Sequence, residues 1–139
     1  MLERLVYVSR AAPGIGSRET YDIVRSAYNR NGHVGLTGAL LFLDGHFAQV
    51  LEGDPYHLNE RFEVIRRDPR HVDIDLRSRI TVASRSFADD WMALRHGDDV
   101  PDDVRNAFGY VPGFPAAHFP AERLLAFVRA CCDATARVT

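Results

Sequence analysis

GALLFLDGHFAQVLEG, residues 38–53, is two apolar runs joined by Asp44-Gly45. A two-residue Asp-Gly link is a strong hairpin signal, because the tight turn that matches strand twist needs positive φ, which these residues tolerate. The stretch therefore reads as strands at about 36–43 and 46–52. Along the second strand, side chains alternate between faces. Phe47, Gln49 and Leu51 share one face, Ala48 and Val50 the other. With Phe47 and Leu51 on the core side, Gln49 is interior. A buried amide lacking a partner costs about 1–3 kcal/mol, so Gln49 requires an interior hydrogen-bonding group, from the protein or from a guest.

Outward from the hairpin, residues 3–9 read as a strand with Leu5 and Tyr7 on one face and Val6 and Val8 on the other. Ser17 is the predicted N-cap of a first helix, with Glu19 and Asp22 near its positive end. That helix is expected to run to about Asn31, with Tyr21, Val24, Tyr28 and Asn31 as its buried stripe and Gly32 or Gly35 at its end. Asp54 and Pro55 open a second helix, Leu58, Phe62 and Ile65 form its inner stripe, and Asp68-Pro69 stops it. Two more strands are expected at about 73–83 and 88–95.

The order β-α-β-β-α-β-β predicts an α+β, ferredoxin-like fold: a five-stranded mixed sheet with two helices on one face, plus C-terminal helices. Composition divides the chain into 1–96 and an extension, 97–139, rich in Pro, Gly and Asp. The extension holds helix candidates starting near Pro101, with Val104 and Phe108, and near Pro120, with Leu124, Leu125, Val128, Cys131 and Cys132 as a stripe. Its helices are expected on the sheet face away from the first pair. The aromatics Phe108, Tyr110, Phe114, Phe119 and Phe127 suit a core or an interface equally.

At 139 residues, 46% apolar and 26% charged, the composition is that of a globular protein with a real core. A net charge of −2 gives no reason to expect nucleic acid or an anionic membrane as partner. No apolar run approaches the roughly 20 residues that cross a bilayer, and the N-terminus lacks a signal-peptide pattern. The two cysteines are adjacent, an arrangement suited to a reduced, cytoplasmic setting.

Generic catalytic patterns are thin. Histidines 33, 46, 57, 71, 96 and 118 show no metal-ligand spacing, so no metal is expected. GxSxG, P-loop and GxGxxG motifs are missing. Pro13-Gly14-Ile15-Gly16-Ser17 reads as a connecting loop or a phosphate cradle. Cys131 and Cys132 read as packing. Tyr7 alone is an ordinary core tyrosine and Asn31 alone an ordinary helix-end residue. Gln49 has the least ordinary explanation, and the hairpin and first helix can bring all three to one pocket.

Tyr7 in the first strand, Asn31 with Leu36-Thr37-Gly38 beyond it, and Phe47-Ala48-Gln49-Val50-Leu51-Glu52-Gly53 together resemble the BLUF family, blue-light sensors that use flavin. Arg67-Asp68-Pro69-Arg70-His71 resembles the family's RDxRH signature, and Arg85, Phe87 and Met92 match its last strand. The resemblance covers roughly residues 3–95, and it is the ordered set that is specific.

The resemblance implies non-covalent FAD (or FMN) between the two helices and the sheet. By position, Asn31 would bond the pyrimidine edge of the ring, Gln49 would contact N5 and the C4 carbonyl, and Tyr7 would contact Gln49. Ile65 would line the ring, while Arg70 and His71 would lie on the ribityl-phosphate side. Arg30 joins them, although cations at a helix C-terminus also offset its dipole. The implied photochemical switch is Tyr7, Gln49 and Met92, with no enzymatic activity of its own. Its output would pass through the last strand and C-terminal helices to an effector protein or across a homo-oligomer. Two positions depart from the family pattern. Asp90 stands where Trp is usual and Trp91 follows it, so Trp91 is expected to face away from the site, under the tail helices. Ala27 replaces a frequent Ser, which should loosen the network. Two rivals stay open on sequence alone: a cofactor-free enzyme of the dimeric α+β barrel type, and a degenerate, flavin-free ferredoxin-like interaction module.

Overall fold

A computed structural model describes residues 1–90, 92–96, 100–110 and 119–136. The elements are β1 (Glu3–Ala11), α1 (Ser17–Val34), β2 (Thr37–Leu43), β3 (His46–Gly53), α2 (Pro55–Arg67), β4 (His71–Thr81), β5 (Ala93–His96), α3 (Asp102–Ala107) and α4 (Ala121–Ala136). The sheet has five strands in the order β4-β1-β3-β2-β5. β5 runs parallel to β2, and the other pairings are antiparallel. The fold is the ferredoxin-like α+β arrangement read from the sequence.

The hairpin forms as its turn residues require: Asp44 and Gly45 both have positive φ, 49° and 74°. Register places Tyr7 opposite Gln49 across β1 and β3. Gly38 lies against β3 so closely that a Cβ there would meet the Val50 carbonyl oxygen at 1.9 Å, which excludes any larger residue.

Both sheet faces are covered, which explains why the central strands read as near-continuous apolar runs. Leu5, Tyr7, Leu40, Phe47 and Leu51 pack under α2 residues Leu58, Phe62 and Ile65, with α1 alongside. Val6, Val8, Leu41 and Val50 pack against Leu124, Phe127, Val128 and Cys131 of α4. The tail helices thus cover the opposite face, as expected, and Phe119 and Phe127 are core residues. Phe114 and Trp91 lie outside the described residues. Among those described, no helix is long and apolar enough to cross a membrane.

Three local expectations need correction. First, the N-cap of α1 is Gly16 rather than Ser17: its N–H donates to the Glu19 carboxylate at 2.8 Å, and its carbonyl receives the Thr20 hydroxyl. Second, the inner face of α1 carries Thr20, Ile23, Val24, Ala27 and Asn31, while Tyr21 and Tyr28 are 63% and 50% exposed. The helix also continues past Asn31 to Val34, and Gly35, at φ 70°, closes it by donating to the Asn31 carbonyl. Third, β4 and β5 span Glu3- and Ala39-paired ladders at 71–81 and 93–96. The segment leading to β5 is anchored from β3. The Glu52 carboxylate, fully buried, accepts the backbone N–H groups of Ser86 and Phe87 at 2.8 Å each and Arg4 Nε at 2.9 Å. Those amides serve a carboxylate instead of a strand ladder.

Candidate functional site

α1 packs on β2 and β5, whereas α2 packs on β1, β3 and β4. The groove between the two helices reaches down to β3. A cavity of about 90 Å³ lies there, with Ala27, Arg30 and Asn31 from α1, Arg61 and Ile65 from α2, and Gln49 from the floor. Arg70 and His71, from the turn into β4, complete one end. Wider depressions on the outer faces of α2 and α1 include neither Asn31 nor Gln49.

A hydrogen-bonded chain runs beneath the cavity. Tyr7 Oη donates to Gln49 Oε1, and Gln49 Nε2 donates to Met92 Sδ at 3.4 Å. β1 and β3 supply one member each, and the third comes from the residue just before β5. Tyr7 is fully buried, 5.8 Å from the Phe62 ring and 6.0 Å from the His71 ring. Burial, helped by the Asp68 charge, pushes its phenol far above the ordinary tyrosine range. The phenol is therefore a donor, and the amide oxygen must face it. That leaves the amide nitrogen for Met92, whose thioether is a weak acceptor. The question raised by Gln49 is thus half answered: its oxygen is well served, while its nitrogen has a weak partner and room above it.

The rim has its own chemistry. His71 Nδ1 lies 2.9 Å from Ser9 Oγ, and burial lowers its pKa to about 4, leaving it neutral at physiological pH. Arg70 Nε bonds both Asp68 carboxylate oxygens at 2.9 and 3.0 Å, and Nη2 bonds one at 2.6 Å. Burial favours the protonated acid at Asp68, but the Arg70 hydrogen bonds and charge outweigh it and hold the carboxyl low.

The structure therefore gathers Arg30, Asn31, Gln49, Ile65, Arg70 and His71 around one cavity, with Tyr7 and Met92 behind Gln49. Sequence reasoning missed Ile23, Ser26, Val64 and Arg61 in its lining. Arg61 had a signal: it lies one turn before Ile65 on α2, on the same stripe. Among the described residues, no group of His, Cys, Asp and Glu is arranged to hold a metal ion.

These residues fit a planar heteroaromatic guest. Ile23, Val64 and Ile65 offer apolar walls, Asn31 and Gln49 a polar edge, and the buried Arg61 Nε lacks a hydrogen-bond partner among the described residues.

Residues 2–93 match the BLUF family, described as sensors of blue-light using FAD. The chain is 32% identical over 90 residues to photoactivated adenylate cyclase subunit beta of Euglena longa, a match covering 65% of this chain and 10% of that protein. It is 35% identical over 74 residues to the blue light- and temperature-regulated antirepressor BluF of Escherichia coli K12, covering 53% of this chain and 18% of that one. The chain thus spans a small part of these curated relatives. Among solved structures, the dark state of BlrB, a BLUF protein, aligns with a TM-score of 0.76 at 26% identity, covering 97% of this chain and 96% of that one. Klebsiella pneumoniae BlrP1 with FMN and cyclic diGMP aligns at 0.69 and 34% identity, over 74% of this chain and 28% of that one.

Proposed function

The chain belongs to the BLUF family, blue-light sensors that work through a bound flavin, and on that premise we propose that Tyr7, Gln49 and Met92 carry its light response. The observation behind this reading is the hydrogen-bond chain that joins them beneath the groove, from β1 through β3 to the residue that leads into β5. Asn31 and Gln49 hold the polar edge of the ring, Ile65 packs on its face, and Arg30, Arg70 and His71 border its side chain. FAD is the cofactor named for the family; FMN carries the same ring and suits the same floor.

When bound, the flavin supplies blue absorption and an excited state that accepts an electron. Tyr7 is placed to give that electron, and its proton can leave along the bond to Gln49. Both return to Tyr7, so no net oxidation remains. What persists is the amide, rotated or tautomerised. A half-turn would set Oε1 against the Met92 sulfur, which has no proton to donate, and the link from β3 to the residue leading into β5 would be lost. β5 is then the element that the switch biases. We place the flavin unit at 1–96, with 97–139 as the extension through which β5 reaches a separate effector or a second copy. The chain acts as a sensor rather than as an enzyme, in the cytoplasm.

The test is the absorption spectrum of the purified chain. A yellow protein whose flavin bands shift reversibly to longer wavelength under blue light supports the reading. A colourless chain that takes up no added flavin favours the interaction-module alternative.

A further inference from the structure

The rim of the groove holds two positive charges that its own acidic group does not neutralise. Arg30, exposed on α1, and Arg61, half-buried on α2, both line the cavity. Asp68, the only carboxylate in that lining among the described residues, is engaged by Arg70. Among the described residues, neither Arg30 nor Arg61 makes a hydrogen bond or ion pair, and the Arg61 Nε is buried. Burial and the Arg30 charge both lower the pKa of Arg61, while its chain neighbour Glu60 offsets part of that. Two like charges held together, one of them partly desolvated, are unfavourable unless an anion joins them.

The depth of the site identifies the anion. Asn31 and Gln49, both buried, form the floor that suits a ring, whereas the arginines stand at the rim on opposite helices. A guest seated on the floor sends its side chain out between them. A phosphate group has several acceptor oxygens and matches the guanidinium fork. We propose that Arg61, together with Arg30, clamps the ester phosphate of the flavin side chain and makes this chain select phosphorylated flavins over riboflavin. The proposal rests on the reading that flavin occupies the groove. It assigns Arg70 a different task, because Asp68 already engages its guanidinium.

The test is titration of the flavin-free full chain with FMN and with riboflavin, followed by flavin fluorescence. The parent should bind FMN about tenfold tighter than riboflavin, with the ratio narrowing as salt rises. Arg61→Gln should weaken FMN about tenfold and riboflavin less than about twofold. Equal affinities in the parent, a ratio insensitive to salt, or equal losses for both flavins in the variant would each overturn the clamp while leaving flavin binding intact. A chain that binds neither flavin would overturn the clamp and the functional reading together.

Discussion

His71 is neutral in the folded chain at any pH near 7, and that neutrality has a measurable consequence. Burial lowers its pKa from an ordinary 6.5 to about 4; Asp68 works against that shift and Arg70 reinforces it. Between those values the unfolded chain binds more protons than the folded one. Stability from this group is therefore complete above about pH 6.5 and is lost as pH falls towards 4. Its full extent is on the order of 3 kcal/mol. Denaturant unfolding at pH 7 and pH 5 should show a larger drop for the parent than for His71→Gln; equal drops would mean that the imidazole does not titrate as described. The fold makes such a residue special, and its sequence context hides that. Gln49 was legible because strand alternation alone puts it between Phe47 and Leu51. Arg61 offered only its spacing from Ile65, which was not enough, because an arginine on a helix looks the same at a groove rim as in open solvent.

At the level of elements, local chemistry was readable and long-range anchoring was not. Asp44-Gly45 and Asp54-Pro55 act through their own backbones, and both do what their residue types dictate. The inner face of α1 was misassigned because tyrosines at helical spacing suit a core stripe or an exposed one equally, and only the docked sheet distinguishes them. The anchoring of Ser86 and Phe87 depended on Glu52, more than thirty residues earlier in the chain. Glu52 also ties the sensor strand to the tail. Ser86 donates its N–H to it, the Ser86 carbonyl accepts from Arg129 of α4, and Arg129 lies 5.2 Å from the centre of the Phe87 ring. Glu52→Gln removes the charge that meets Arg4 and two amides, and should cost about 3 kcal/mol. Hydrogen exchange at Ser86 and Phe87 should accelerate more than in the β1–β3 ladder. Uniform acceleration would mean that Glu52 stabilises the whole sheet without pinning this segment.

For the whole molecule, the main question is whether the tail helices belong to the cooperative unit. Phe127 is fully buried among residues of β1, β2 and β3, with Phe119 at 5.5 Å and Phe108 at 5.3 Å. Without α4, that sheet face would be bare. Phe127→Ala should therefore lower the stability of the entire chain by about 3–5 kcal/mol, in one transition seen alike by far-ultraviolet circular dichroism and by Trp91 fluorescence. A separate early transition confined to helix signal would make the tail an independent appendage. The three-layer order was readable because apolar stripes on the tail had to be covered by something. The groove's affinity for a guest was not, since it depends on how two helices stand on different strands.

The chain of hydrogen bonds from Tyr7 through Gln49 to Met92 is the centre of the account, and Gln49→Leu cuts it without changing side-chain size much. The decisive measurement is the light-minus-dark absorption spectrum of that variant loaded with flavin, beside the parent under the same blue illumination. The account predicts a reversible red shift in the parent and a flat difference spectrum in Gln49→Leu with flavin still bound. A variant that shows the parent's shift and recovery would contradict it.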